Sequence, residues 1–123
     1  MMKWIVSLLM VFSAIALAAT SAKDAYLMLK NNQAILIDVR EADEVKDGMI
    51  EKATWMALSK LKADDTWEKD LRESSKGKKI FLYCRSGRRS EVAQEILKQK
   101  GINPENIGGY ESLKTELPTT KVK

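Results

Sequence analysis

The chain has 123 residues, no histidine and one cysteine. Without an imidazole it can form no Ser-His-Asp or Cys-His arrangement, no histidine general base and no histidine-containing zinc site. A single cysteine makes no intramolecular disulfide, no CxxC redox pair and no cysteine zinc knuckle. The six glycines, at 48, 77, 87, 101, 108 and 109, form neither a P-loop nor a dinucleotide fingerprint. No metal or cofactor is expected. An enzyme built on this chain must activate its nucleophile by something other than histidine.

What remains is the composition of a packed domain, 45% hydrophobic and 31% charged. The length suits one domain. The net charge of +4 is mild. Lys76, Lys78 and Lys79 cluster, and Lys114, Lys121 and Lys123 follow. Glu68, Asp70, Glu73, Glu111 and Glu116 are interspersed, with no aromatic-basic stacking pattern. That is a solvated surface, and no nucleic-acid partner is expected.

The first 22 residues read as a secretory signal peptide. Lys3 gives a positive start, and Trp4–Ala22 carries no charge. Small residues close the apolar run, with Ala16-Leu17-Ala18 and Thr20-Ser21-Ala22 as candidate cleavage sites. The expected organisation is a signal peptide over 1–22 and one domain over 23–123. The expected location is the periplasm, with no stable membrane association after cleavage; an N-terminal anchor is the competing reading. In an oxidising compartment an unpaired cysteine is a liability unless it is used or buried.

Within the domain, the spacing predicts a helix over Asp24–Lys30 and a buried strand over Ala34–Ile37 leading into Asp38-Val39-Arg40. One helical turn over Glu41–Asp47 is closed by Gly48, and Ala53–Trp55 suits a short strand. Leu58, Leu61, Trp67 and Leu71 fit one or two amphipathic helices, with Asp65-x-x-Glu68 as a capping signal for the second. Ile80–Tyr83 is a second buried-type strand. Glu91–Lys100 is the best helix, with Val92, Ala93, Ile96 and Leu97 on one face and Gly101 and Pro104 beyond it. Asn106-Ile107 suits a last strand and Tyr110–Thr115 a last helix. Strands alternating with helices predict an α/β domain with a mainly parallel central sheet flanked by helices.

The most informative stretch is Cys84-Arg85-Ser86-Gly87-Arg88-Arg89, between the second strand and the helix starting near Ser90. Sites in open α/β sheets form beyond the carboxyl ends of strands. A short loop there that leads into a helix turns backbone N–H groups inward and makes an anion cradle. Gly87 permits the turn. Three arginines and a helix N-terminus lower a thiol pKa, and the thiolate is the nucleophilic form. A lone cysteine ending an apolar strand is more often a small inert core residue; its position before a glycine, three arginines and a helix is what singles this one out.

Tyr83-Cys84-Arg85-Ser86-Gly87-Arg88-Arg89-Ser90 resembles the active-site signature of rhodanese-like sulfurtransferases. Leu36-Ile37-Asp38-Val39-Arg40-Glu41, with Glu44 and Gly48-x-Ile50 after it, resembles the family's first motif. Ile107-Gly108-Gly109 resembles its C-terminal turn. Together they span about Ala34 to Leu113. Size and leader resemble the small single-domain periplasmic members of the phage-shock-protein-E kind. Met49, Lys52, Ala57 and Leu113 depart from the family pattern, where histidine, glycine, proline and tryptophan are usual.

The resemblance implies a rhodanese-like fold and a thiosulfate sulfurtransferase. Cys84 would be the nucleophile and persulfide carrier. The N–H groups of Arg85, Ser86, Gly87, Arg88, Arg89 and Ser90 would hold the anion, and Arg88 or Arg89 would steer a dianionic donor. Asp38 and Arg40 would support the loop. The implied partners are thiosulfate or another sulfane-sulfur donor, and cyanide, a small thiol or a protein thiol as acceptor. A non-catalytic anion- or protein-binding module is the alternative. Cysteine phosphatases, by comparison, place five residues between cysteine and arginine. Here that arginine position holds Ser90, and the shorter loop to Arg89 suits sulfur better than a tetrahedral phosphate.

Overall fold

The computed structural model describes residues 19–121. The expected signal peptide lies for the most part outside them. Helix α1 (Ala22–Lys30) begins before the predicted Asp24 because Ser21 caps it, its hydroxyl accepting from the Asp24 N–H at 3.1 Å. The 22/23 boundary expected for the domain therefore falls inside the first helical turn. Strand β1 (Ala34–Asp38), the single turn α2 (Ala42–Val45), the two-residue strands β2 (Met49–Ile50) and β3 (Thr54–Trp55), and helices α3 (Leu58–Ala63) and α4 (Trp67–Ser74) follow. Strand β4 (Lys79–Cys84), helix α5 (Arg88–Gln99), strand β5 (Glu105–Gly109), the turn α6 (Tyr110–Leu113) and strand β6 (Thr119–Thr120) complete the order.

The central sheet has the order β3-β1-β4-β5, and all of its pairings are parallel. This is the predicted α/β architecture, and its two long inner strands are the two apolar runs. Alternation along β4 divides the interior. Ile80, Leu82 and Cys84 face one core with Leu58, Leu61, Trp67, Leu71, Ala93 and Leu97 from α3, α4 and α5. Phe81 and Tyr83 face the other, with Ala25 and Leu29 of α1 and Leu113 of α6. Burying side chains such as Leu82 and Leu97, both fully enclosed, contributes about 2 kcal/mol each.

Three local expectations are corrected, and one pairing was not anticipated. The Asp65-x-x-Glu68 cap does not form; Asp64 instead accepts from Thr66, at 2.9 Å from its N–H and 2.6 Å from its hydroxyl. Helix α5 starts at Arg88, two residues before the predicted Ser90, because Gly87 occupies the N-cap position. Val92 is exposed, so the buried face of α5 rests on Ala93 and Leu97, with Ile96 at its margin. Finally, β2 and β6 pair antiparallel, Met49 with Thr120 and Ile50 with Thr119. Two-residue strands leave no periodicity from which to predict them.

Candidate active site

Cys84 is the last residue of β4, and the loop that follows is only Arg85–Gly87. Arg88, Arg89 and Ser90 form the first turn of α5. Gly87 sits at φ +97°, a left-handed conformation that favours glycine. That turn aims the Gly87 N–H at Cys84 Sγ, at 2.9 Å, and places the Ser90 hydroxyl 3.4 Å from the same sulfur. Burial pushes the thiol up, but the Ser90 hydroxyl and the N–H groups of Ser90, Ser86 and Gly87 outweigh it and hold the thiol below its ordinary value. These donors favour the ionised form of the sulfur, and the Arg89 charge is coupled to it.

The turn from β5 to α6 is pressed against this loop. A Cβ on Gly109 would lie 2.3 Å from the Arg85 carbonyl oxygen, and one on Gly87 would meet Gly108 Cα at 3.5 Å. Gly109 is thus a spatial requirement of the loop, whereas Gly108, where a Cβ would meet nothing within 4 Å, is favoured by its left-handed φ of +110°. Cys84 itself is completely buried. Two cavities flank the loop, and Cys84 lines neither of them. One, of about 630 Å³, is lined by Ser86, Gly87, Arg88, Asn106 and Thr20 among others. The other, of about 400 Å³, is lined by Arg85, Arg40, Glu44, Tyr110 and Lys114 among others.

Asp38 and Arg40 are both buried and bonded to each other, Arg40 Nη2 to Asp38 Oδ2 at 2.9 Å and Nε to both carboxylate oxygens. Arg40 also donates to the Gly48 carbonyl at 2.6 Å and the Glu44 carbonyl at 3.3 Å, and its guanidinium lies 4.0 Å from the Tyr110 ring centroid. Their reach to the cysteine loop is indirect. Arg40 fixes α2, and the Glu44 side chain on α2 grips Arg89 of α5 through both guanidinium nitrogens, Nη2 at 2.6 Å from Oε2. Tyr83, beneath Cys84 on the opposite face, accepts from the Ile50 N–H at 3.0 Å. Burial, with Asp38 adding to it, keeps the Tyr83 hydroxyl protonated far above the usual phenol range.

The arginines therefore divide. Arg89 is neutralised by Glu44, whereas Arg85 and Arg88 form no ion pair among the described residues. The hydrogen bonds from Arg89 hold the Glu44 carboxyl at about 2, against its usual 4.5, although partial burial opposes them. A folded-state value below the unfolded one stabilises the fold fully above about pH 4.5, and that stabilisation is lost as pH falls towards 2. Glu44→Gln should fall in stability less steeply than the parent over that acid range in denaturant titrations. An unchanged slope would remove the pair's role.

Glu44 carried no assigned role in the sequence, only a place in a motif. Asn106 carried none, and nothing local marks it. In the structure its side-chain amide bonds Gly87, Ser90 and Gly108.

A parallel sheet carries a cysteine at the carboxyl end of a central strand, where the N-terminus of the next helix favours the thiolate. Residues 21–116 match the Rhodanese-like domain family, and the chain belongs to that family. It is 39% identical over 83 residues to a mitochondrial protein of Schizosaccharomyces pombe whose name provisionally assigns it thiosulfate sulfurtransferase activity; the match covers 62% of this chain and 57% of that protein. It is 25% identical to thiosulfate sulfurtransferase GlpE of Coxiella burnetii, over 79% of this chain and 87% of that one. A tRNA uridine(34) hydroxylase of Deinococcus radiodurans is 30% identical over 61% of this chain, but this chain spans only 25% of it. Among solved structures, a rhodanese-related protein from Thermoplasma volcanium superposes with a TM-score of 0.67 at 30% identity, covering 83% of this chain and 96% of that one.

Proposed function

We propose that the protein is a thiosulfate sulfurtransferase working through a Cys84 persulfide. The Cys84 thiolate attacks the outer sulfur of thiosulfate. The new S–S bond forms as the old one breaks, and its electron pair leaves on sulfite. A thiophilic acceptor (cyanide, a small thiol or a protein thiol) then attacks the outer sulfur and returns the thiolate. Both steps are displacements at sulfur and use no cofactor. The observation that carries this reading is the pair of donors aimed at Cys84 Sγ, Gly87 N–H and the Ser90 hydroxyl. The unpaired charges of Arg85 and Arg88 favour them over Arg89 for steering a dianion.

The complete burial of Cys84 supports a second reading, a module that holds an anion or a protein partner without turnover. Under the first reading, the loop must shift for a donor to reach the sulfur. Intact mass spectrometry after thiosulfate treatment separates the two. A gain of one sulfur atom is expected; an unchanged mass in the folded protein overturns catalysis and leaves the binding module. Appreciable hydrolysis of an aryl phosphate by Cys84 would overturn the choice of sulfur over phosphate.

We infer further that the chain is exported to the periplasm and processed after Ala18, not after Ala22. Thr20 supports this position, donating from its N–H and hydroxyl to Glu105 at 3.3 and 3.1 Å, while Lys79 reaches both residues. Cleavage after Ala22 would also remove the Ser21 cap, a loss of about 1 kcal/mol. No helix among the described residues is long and apolar enough to cross a membrane. The mass of protein recovered from the periplasm should correspond to a chain starting at Ala19; a start at Lys23 would refute the assignment.

A further inference from the structure

We propose that Asn106 is a positioning residue for Cys84, its side-chain amide holding Gly87 and Ser90 in the orientation from which both donate to the sulfur. The inference rests on Cys84 being the reactive thiol, as proposed above.

Asn106 lies half-buried on β5 and is itself hydrogen-bonded to the residues around the cysteine. Its Nδ2 donates to the Gly87 carbonyl at 2.9 Å. Its Oδ1 accepts from the Gly108 N–H at 2.9 Å and from the Ser90 hydroxyl at 2.8 Å. The orientation of the amide is dictated by these partners, since a carbonyl only accepts and a backbone N–H only donates. Gly87 is the residue of the loop that most needs holding. It has the widest conformational freedom, it stands at φ +97°, and its N–H is the closest donor to the sulfur. Anchoring its carbonyl restricts rotation on one side of the same residue whose N–H must stay aimed.

Ser90 adds a second consequence. Its hydroxyl has one proton and three acceptors in reach: Asn106 Oδ1 at 2.8 Å, the Gly87 carbonyl at 3.0 Å and Cys84 Sγ at 3.4 Å. A thiolate is a stronger acceptor than a neutral amide, because charge-assisted hydrogen bonds are about twice as strong as neutral ones. A neutral amide oxygen therefore receives the proton while Cys84 is a thiol and yields it when the thiolate forms. A carboxylate at the same place would compete on equal terms and would add a like charge beside the sulfur.

Apart from the carboxylate that Asn106→Asp itself adds, the charges around the sulfur stay constant in the test. Arg89 on α5 is paired with Glu44 from α2, and Asp38 and Arg40 at the end of β1 are bonded to each other. Arg85 and Arg88 belong to the loop and to the first turn of α5.

The experiment is the pH dependence of Cys84 alkylation by iodoacetamide in the folded protein, for the parent, Asn106→Asp and Asn106→Ala. The Asp variant should titrate at least about one unit higher, which leaves roughly tenfold less thiolate below the midpoint. The Ala variant loses the anchor on Gly87 without adding charge, so its midpoint should lie between the two. Any other order overturns the inference. If the Asp variant does not fold, the Ala variant decides alone: a midpoint no higher than the parent's overturns it. No sulfur donor enters this assay. A parent protein that alkylates normally but gains no sulfur from thiosulfate would overturn the proposed function and leave this inference standing. Normal sulfur uptake with an unmoved thiol in the variants would do the reverse.

Discussion

Cys84→Ser should take up no sulfur from thiosulfate and should release sulfite no faster than the uncatalysed reaction. The serine hydroxyl has no partner to ionise it: the chain contains no histidine to act as base, and the donors that favour a thiolate do not suffice for an alkoxide. There is no second cysteine to substitute. The fold should persist, because the change is nearly isosteric and a hydroxyl can bond in place of the sulfur with the Gly87 N–H and Ser90 that already surround it. Intact mass and sulfite release read the outcome in one preparation, with circular dichroism as the control for folding. A mass gain of one sulfur in the folded variant would place the nucleophile elsewhere and defeat the mechanism.

The second large effect is on stability. Arg40→Met should destabilise the domain by about 3–5 kcal/mol, the range for removing one partner of a buried ion pair. Asp38 has no exposed surface and Arg40 almost none. The substitution would leave the carboxylate buried with only the Arg40 N–H, at 2.9 Å, among the bonds it now receives from residue 40. It would also free the Gly48 and Glu44 carbonyls. A domain of this size is usually worth about 5–15 kcal/mol in total, so the shift in the urea midpoint should be unmistakable. A loss below about 1 kcal/mol, the level of an exposed pair, would show that the pair does not brace β1 and α2.

Both results concern residues visible in the sequence, but for different reasons. Cys84 stands out by being alone, by ending an apolar run and by preceding Arg85-Ser86-Gly87-Arg88-Arg89. Those are local facts, and they lead directly to the strand, the turn and the helix that the structure contains. Asp38 and Arg40 stand out through their motif, and Glu44 and Gly48 belong to it too, yet nothing local says that these two bond to Arg40. Gly48 and Glu44 are brought to Arg40 by a reversal of the chain after β1, and Tyr110 arrives from the far end of the domain. Asn106 is the clearest gap. It lies 19 residues after Gly87, and only the parallel pairing of β4 with β5 brings the two together.

By itself, the sequence determined the α/β class, the two buried strands, the place of Cys84 between a strand end and a helix start, and the exclusion of histidine chemistry. These follow from residue type and short-range periodicity, which act within one element or one turn. Only the tertiary structure decided that Arg89 is held by Glu44, that Gly109 must lack a side chain because the Arg85 carbonyl occupies its space, and that Asn106 holds the loop. Each of these depends on the register and packing of elements distant in the chain. Hydrogen bonds and steric exclusion act over a few ångströms, so their partners are known only once the sheet has aligned them.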